Sequence, residues 1–277
     1  MKTRHFAIGR VAGATFAAFA AALALCAIGG GPAAADQLSD IKARGALDVG
    51  VKADVLGFGF LDPKTNQYEG YEIDVAHELA KRLLGDPNKI KFTTVTAKTR
   101  GALLDSGELD MVIATFTITD QRKLILDFSP PYYTDGIALL VQKSSGIKGL
   151  KDLNNKTIGV AKGADTATRL TAKASDVNVL LSFAAFETYG EILAALQAGR
   201  VQAFSTDGSI LKYYEQQDPT TVILPDRYSS EDYGVATRKG GDTLSAWVAA
   251  QINNLKNSGT LAKWQQKWGI YNENQGK

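Results

Sequence analysis

The 277-residue chain contains one cysteine, two histidines, two methionines and three tryptophans. The cysteine, Cys26, lies in an N-terminal apolar run. The rest of the chain therefore has neither a disulfide nor a thiolate nucleophile, and its stability comes from packing. His5 precedes the same run. The other histidine, His77, lies in "YEIDVAHELAKRLL", where Ile73, Val75, Ala76, Leu79, Ala80 and Leu83 form a helical stripe. That spacing makes His77 a helix-surface or boundary residue. A histidine-based metal site or a Ser-His-Asp triad needs imidazole that the chain does not have, so no metal and no cofactor is expected. A large excess of either charge is also missing, since 31 basic residues stand against 29 acidic ones.

The opening "MKTRHFAIGR" carries Lys2, Arg4 and Arg10 with no acid, and an Ala-rich apolar run follows from Val11 to Ile28. These are the n-region and h-region of a secretory signal. "PAAADQ" places small residues at Ala33 and Ala35, so cleavage is expected after Ala35, with export to the periplasm. The run is also long enough to span a bilayer, which leaves a retained anchor as the rival reading. The bulky Leu25 ahead of Cys26 disfavours a lipid anchor there. Removing Lys2, Arg4 and Arg10 from 31 leaves 28 basic against 29 acidic residues, a net of about −1. That balance favours neither nucleic acid nor an anionic membrane surface.

With 45% hydrophobic residues, the chain can build one large domain or two modest ones. After Asp36, strand-like and helix-like segments alternate: "ALDVGVK", "YEIDVAHELAKRLL", "KIKFTTVTA", "RGALLDSG" and "LDMVIATF". The pattern breaks at "DFSPPYYTDG". It resumes with "TIGVAKG", "TATRLTAKA", "VNVLLSF", "ETYGEILAALQAG" and "VQAFSTD". Alternation of this kind predicts an α/β fold with right-handed crossovers and mostly parallel sheets. "SGELDMVIAT" and "AGRVQAFSTD" are similar, and aligning Gly107 with Gly199 places Thr115 opposite Asp207. Two similarly wound lobes explain the match. "TLSAWVAAQINNLKNSG" and "TLAKWQQKWGI" read as two closing helices, the first capped by Asp242 or Thr243 and stopped at Gly259, with Trp247, Trp264 and Trp268 as packing anchors.

In a doubly wound sheet, ligands sit beyond the carboxyl ends of the strands. Lys52, Arg100 and Thr115 fall at such ends, and Arg122 follows one turn later. Taken alone, Lys52 is a solvated surface lysine and Arg100 a helix-face arginine; their convergence marks a cleft for an anion. In the second half, Gly163, Ala164 and Asp165 precede a helix, and Asp207 precedes "GSILKYYE". Each aspartate can be a plain N-cap. Asp207, opposite the cations, is also placed to receive an ammonium. Lys52, Arg100 and Arg122 against Asp207 give a net of about +2, which suits an amino acid with two carboxylates.

The motifs "VGVKADV", "GYEIDVAHELAKRL", "VTAKTRGALLDSGELDMVIATFTITDQRK", "TIGVAKGADT", "LQAGRVQAFSTDGSILKYY" and "SGTLAKWQQKWG" resemble the polar amino-acid-binding proteins of ABC importers, solute-binding protein family 3. The lysine of "VGVK" and the arginine of "AKTRG" point to its aspartate/glutamate-binding branch. The resemblance implies a type II periplasmic-binding-protein fold: two lobes, each a mostly parallel sheet flanked by helices, joined by two crossover segments. Residues 36–133 with 232–277 would form lobe 1, and 134–231 lobe 2. By the same resemblance, Arg122 would grip the ligand α-carboxylate with Thr115 and Thr117, and Asp207 would take the α-ammonium. Lys52, Arg100 and Tyr189 would contact the side chain or close over it. Thr166 stands at the margin of the set, because Asp165 departs from the family pattern beside it. The implied function is capture of L-glutamate or L-aspartate by a monomer that presents its closed form to a membrane permease. Another polar amino acid such as glutamine is the alternative. Similar folds host dehydratases, but the cleft residues here are mostly permanent cations, so no enzyme activity is expected.

Overall fold

The computed structural model describes Thr3, residues 36–240 and residues 242–270. The expected leader, its cleavage point after Ala35 and Cys26 lie outside the described residues.

In chain order the first elements are α1 (Gln37–Arg44), β1 (Leu47–Val51), β2 (Asp54–Val55), β3 (Gly59–Leu61), β4 (Tyr68–Glu69), α2 (Tyr71–Leu84) and β5 (Ile90–Thr94). They are followed by α3 (Arg100–Asp105), β6 (Met111–Ile113), the short α4 (Asp120–Lys123) and β7 (Leu126–Phe128). β8 (Tyr133–Asp135) leads into β9 (Ile137–Gln142), β10 (Lys156–Ala161), α5 (Thr166–Ser175), β11 (Leu181–Phe186), α6 (Tyr189–Gln197), β12 (Ala203–Asp207), α7 (Gly208–Gln217) and β13 (Thr221–Ile223). β14 (Glu231–Tyr233) then returns the chain to β15 (Ala236–Arg238), α8 (Asp242–Asn257) and α9 (Thr260–Lys267).

Two five-stranded sheets result, ordered β5-β1-β6-β15-β7 and β11-β10-β12-β9-β13. Each is the core of one lobe. β5, β1 and β6 run parallel, as do β11, β10 and β12. The alternating pattern of the sequence accounts for these trios. One strand per sheet is reversed: β15 lies antiparallel to β6 and β7, and β9 lies antiparallel to β12 and β13. Each reversed strand is the first laid down after the chain crosses between sheets, and the crossing strands β8 and β14 pair with each other antiparallel. A strand that enters from the other lobe has no helical crossover to return it to the parallel direction.

Local chemistry sets the element ends. α2 starts at Gly70, whose φ of +132° and whose Phe58 carbonyl oxygen, 2.1 Å from where a Cβ would stand, together require glycine. Gly107 and Gly199, the pair aligned from sequence, both follow a helix with left-handed φ values of +83° and +68°. The strand expected over "VNVLLSF" begins later, at Leu181. Asn178 is left-handed and the Val179 N–H donates to Ala174 O, so this stretch closes α5 instead. Thr243 lies inside α8, and its hydroxyl donates to Asp36.

Phe58, Tyr71, Tyr132, Tyr133 and Tyr233 form an aromatic cluster at the crossing strands, with ring centroids 5.0 to 6.3 Å apart. Rings in edge and tilted arrangements add specific geometry to the apolar burial. Trp247, Trp264 and Trp268 pack half-buried against the main core, as the closing helices led one to expect.

Candidate ligand-binding site

The carboxyl ends of β1, β6, β10 and β12 face one cleft, and the two lobes touch across it. Lys52 follows β1 and is buried, 3% exposed. Its Nζ stands 3.0 Å from Asp54 Oδ1 and 4.8 Å from the centre of the Tyr189 ring, which the opposite lobe supplies. Burial lowers the lysine pKa, and the Asp54 charge opposes that shift. Asp54 also receives the Tyr189 N–H at 3.5 Å, and its carbonyl accepts the Tyr214 hydroxyl at 2.9 Å.

Beyond β6 the chain turns sharply. Thr115 has a φ of +45°, uncommon for a β-branched residue, and its N–H donates to Glu72 Oε1 at 2.6 Å. That N–H is therefore engaged by the Glu72 carboxyl. The turn places Thr115 and Thr117 on either side of Phe116, whose ring lies 4.0 Å from the Arg100 guanidinium carbon and 4.9 Å from that of Arg122. One ring thus supports both cations. Arg100 donates to the carbonyls of Ala114 and Thr115 at 2.5 and 3.0 Å, and its Nε has no partner among the described residues. Burial, and then the Arg122 charge, bring its pKa down to about 10. The Thr119 hydroxyl accepts the Arg122 N–H and caps α4, while Arg122 itself donates to Thr117 O at 2.7 Å.

Across the cleft, Arg122 reaches Gly163 O at 3.5 Å and Asp165 Oδ1 at 3.8 Å. Asp165 makes no cap hydrogen bond to α5, so the simple N-cap expected of it is not formed. Its carboxylate is drawn to Arg122 and, at 3.3 Å, to Arg169. Thr166, the first residue of α5, is buried next to it in the chain. Tyr189 opens α6, stacks on Phe204 and accepts the Thr206 hydroxyl at 3.4 Å. Asp207 likewise leaves its helix uncapped. Asp135 performs that task for α7 by accepting the Ser209 N–H at 3.1 Å. Asp207 instead accepts the Tyr233 hydroxyl. Burial, then the neighbouring Asp135 charge, push its pKa up.

The structure therefore gathers Lys52, Arg100, Thr115, Thr117, Arg122, Tyr189 and Asp207 about one cleft. It also brings in groups that the strand-end argument passed over: Asp54, Glu72, Phe116 and the counter-charge of Asp165. Glu72 carried a signal, because it falls on the row 72, 75, 76, 79 of an otherwise apolar helix stripe. Asp54 and Phe116 carried none. The expected net of +2 is corrected accordingly. Lys52 pairs with Asp54 and Arg122 with Asp165, so two of the three cations have carboxylate partners besides Asp207. Among the described residues, no group of three or more His, Cys, Asp or Glu could hold a metal ion.

Two lobes of matching strand order, with charged groups converging at their facing strand ends, define a type II solute-binding clamp. The chain belongs to the bacterial extracellular solute-binding proteins, family 3, whose family model matches residues 47–271. It is similar to a glutamine-binding protein of Geobacillus stearothermophilus, 44% identical over 208 residues, which are 75% of this chain and 78% of that protein. It is also similar to the ABC transporter glutamine-binding protein GlnH of Bacillus subtilis (strain 168), 35% identical over 235 residues, 84% of each chain. Among solved structures, the cysteine-binding protein of Campylobacter jejuni superposes with a TM-score of 0.78 at 28% identity, covering 86% of this chain and 96% of that one. These likenesses support the family, and they do not single out its aspartate/glutamate-binding branch.

Proposed function

We propose that this chain is an extracytoplasmic amino-acid-binding protein of an ABC importer, and that its ligand is a neutral polar amino acid, L-glutamine. The observation that carries this reading is the charge balance of the cleft, because Asp54 and Asp165 offset two of the three cations. A ligand with no net charge keeps that balance. The glutamine-binding relatives point the same way.

In this pose the α-carboxylate takes Arg122, whose present contacts of 3.5 and 3.8 Å across the cleft are long enough to exchange. The α-ammonium takes Asp207, and the side-chain carbonyl meets the Nε of Arg100, which has no partner among the described residues. Phe116 and Tyr189 hold the guanidinium groups and Lys52 in place. Glutamine has about ten non-hydrogen atoms, and the ceiling of about 1.5 kcal/mol per atom for very small ligands leaves room for micromolar to nanomolar affinity. L-glutamate is the second reading, favoured by one feature. Arg100 is buried and makes its two hydrogen bonds to carbonyl oxygens rather than to a carboxylate.

We propose lobe bounds of 36–133 with 232–277 and of 134–231, a reading supported by the antiparallel pairing of β8 and β14 where the chain crosses. We assign the mature protein, cleaved after Ala35, to the periplasm as a monomer that delivers its ligand to a permease without chemical turnover. A thermal-shift panel of the twenty amino acids on ligand-stripped protein, followed by calorimetry, tests the ligand, since a ligand that binds only the folded state raises stability by RT ln(1 + [L]/Kd). L-glutamine is expected to give the largest shift. Tenfold tighter binding of L-glutamate or L-aspartate would overturn the ligand, and no binding by any amino acid would overturn the function.

A further inference from the structure

Glu72, the second residue of α2, is fully buried. Its Oε1 accepts two hydrogen bonds at 2.6 Å, from the Thr115 N–H and from the Tyr132 hydroxyl, while Oε2 has no partner among the described residues. Each donor leads to a different part of the clamp. Thr115 is the left-handed turn residue, and the carbonyls of Ala114 and Thr115 hold the Arg100 guanidinium. Tyr132 directly precedes β8, and its N–H donates to Tyr233 O, the residue whose hydroxyl reaches Asp207. A single carboxyl group therefore ties the strand tip of one lobe to the strands that cross to the other.

We propose that Glu72 is a positioning residue for amino-acid capture: as a carboxylate it holds Thr115 in its left-handed turn and orients Arg100 and Tyr132, and as a carboxylic acid, a weaker acceptor, it holds them less firmly. The proposal rests on the reading of the cleft as an amino-acid site. A charged acceptor forms shorter and stronger hydrogen bonds than a neutral one, and the costly Thr115 conformation needs that strength. The charged or titratable groups facing Glu72 are Lys52 after β1, Arg100 on α3, Tyr132 before β8 and Tyr71 on its own helix. Burial brings the carboxyl up to about 7, against the pull of its hydrogen bonds and of the two cations. Burial raises both tyrosines, so they remain protonated donors. The sign follows: the carboxylate predominates above about pH 7, so affinity rises with pH through that region. Burial and the Asp135 charge also push Asp207 up, in wild type and variants alike, so the contrast between wild type and variant isolates Glu72.

The test measures Kd by calorimetry between pH 5.5 and 8.5 for wild type, Glu72→Gln, Glu72→Asp and His77→Gln, with L-glutamine or the amino acid the panel selects. From pH 8 to pH 6 the wild type should weaken by up to about tenfold more than Glu72→Gln, the linkage limit for one group near pH 7. Glu72→Gln should bind at pH 8 with the wild type's low-pH affinity. Glu72→Asp should keep a pH slope, and His77→Gln should keep the wild-type slope. A ligand-independent arm follows the Thr115 amide by NMR in the free protein, where it should titrate in wild type and stay flat in Glu72→Gln. If no amino acid binds, the function fails while this arm still judges Glu72. A Glu72→Gln variant with wild-type affinity and slope, or a Thr115 amide that does not titrate in wild type, overturns the proposal.

Discussion

Replacing Asp54 by asparagine removes one negative charge from the cleft while keeping the shape of the side chain. Asp54 Oδ1 stands 3.0 Å from Lys52 Nζ. At an effective dielectric of about 20, that separation corresponds to about 5 kcal/mol of gross attraction. The Asp54 side chain is 31% exposed, so water screens much of it, and a net stability loss of about 1–2 kcal/mol is expected. For a chain of this size that lowers the ligand-free Tm by about 2–8 °C. Ligand choice should change more informatively. Lys52 remains buried but loses its carboxylate, and the cleft becomes one unit more positive. A ligand carboxylate that replaces Asp54 gains a charge-assisted hydrogen bond of about 1.5–3 kcal/mol, which neutral glutamine cannot match. The ratio of Kd for L-glutamate to Kd for L-glutamine should therefore fall by about 10- to 100-fold. Calorimetry with both ligands on wild type, Asp54→Asn and Lys52→Met measures it, with Lys52→Met expected to move the ratio the other way. Equal weakening of both ligands in Asp54→Asn, with the ratio unchanged, would refute the charge-balance argument.

Arg122→Ala should weaken every L-amino acid by about 100-fold or more, and Arg122→Lys should recover only part of this, because lysine cannot form a two-point fork on a carboxylate; unchanged affinity in isothermal titration would sink the pose. Phe116→Leu keeps an apolar filler but removes the ring 4.0 and 4.9 Å from two guanidinium carbons, so Kd should rise about 5- to 30-fold in a folded protein, and a neutral result would reduce Phe116 to packing. The Glu72 carboxyl, up from 4.5 to about 7, binds its proton more tightly in the folded chain, so its contribution to stability is complete below about pH 4.5 and is lost as pH rises to about 7. Ligand-free Glu72→Gln should thus melt above wild type at pH 8, by up to about 3 kcal/mol of stability, and calorimetric scans showing equal or lower Tm would contradict this.

Much of this molecule was legible before any tertiary information. The 3.6-residue stripe of "YEIDVAHELAKRLL" corresponds to α2 over the same fourteen residues, Tyr71–Leu84. The glycines at 107 and 199 carried the internal repeat because a left-handed residue after a helix needs no partner from elsewhere to be recognised. Lys52, Thr115 and Asp207 were reachable from strand ends alone. The reversed strands β9 and β15 were not, since their direction depends on where the chain crosses between lobes and not on their own side chains. Asp165 misled for a related reason. An aspartate before a helix caps it by default, and only the approach of Arg122 and Arg169 draws it away.

The sequence by itself determined the alternation of strands and helices, the two-lobed winding and the chemistry at the strand tips, because hydrophobic period and local backbone preference act over a few residues. Tertiary structure alone decided which charges neutralise which. Lys52 with Asp54, Arg122 with Asp165 and Glu72 with Thr115 depend on side-chain direction and on approaches of a few ångströms between segments up to 43 residues apart. Coulomb energy and desolvation change steeply over those distances, so cations that read as a +2 pocket in a line of text stand beside carboxylate partners in the fold.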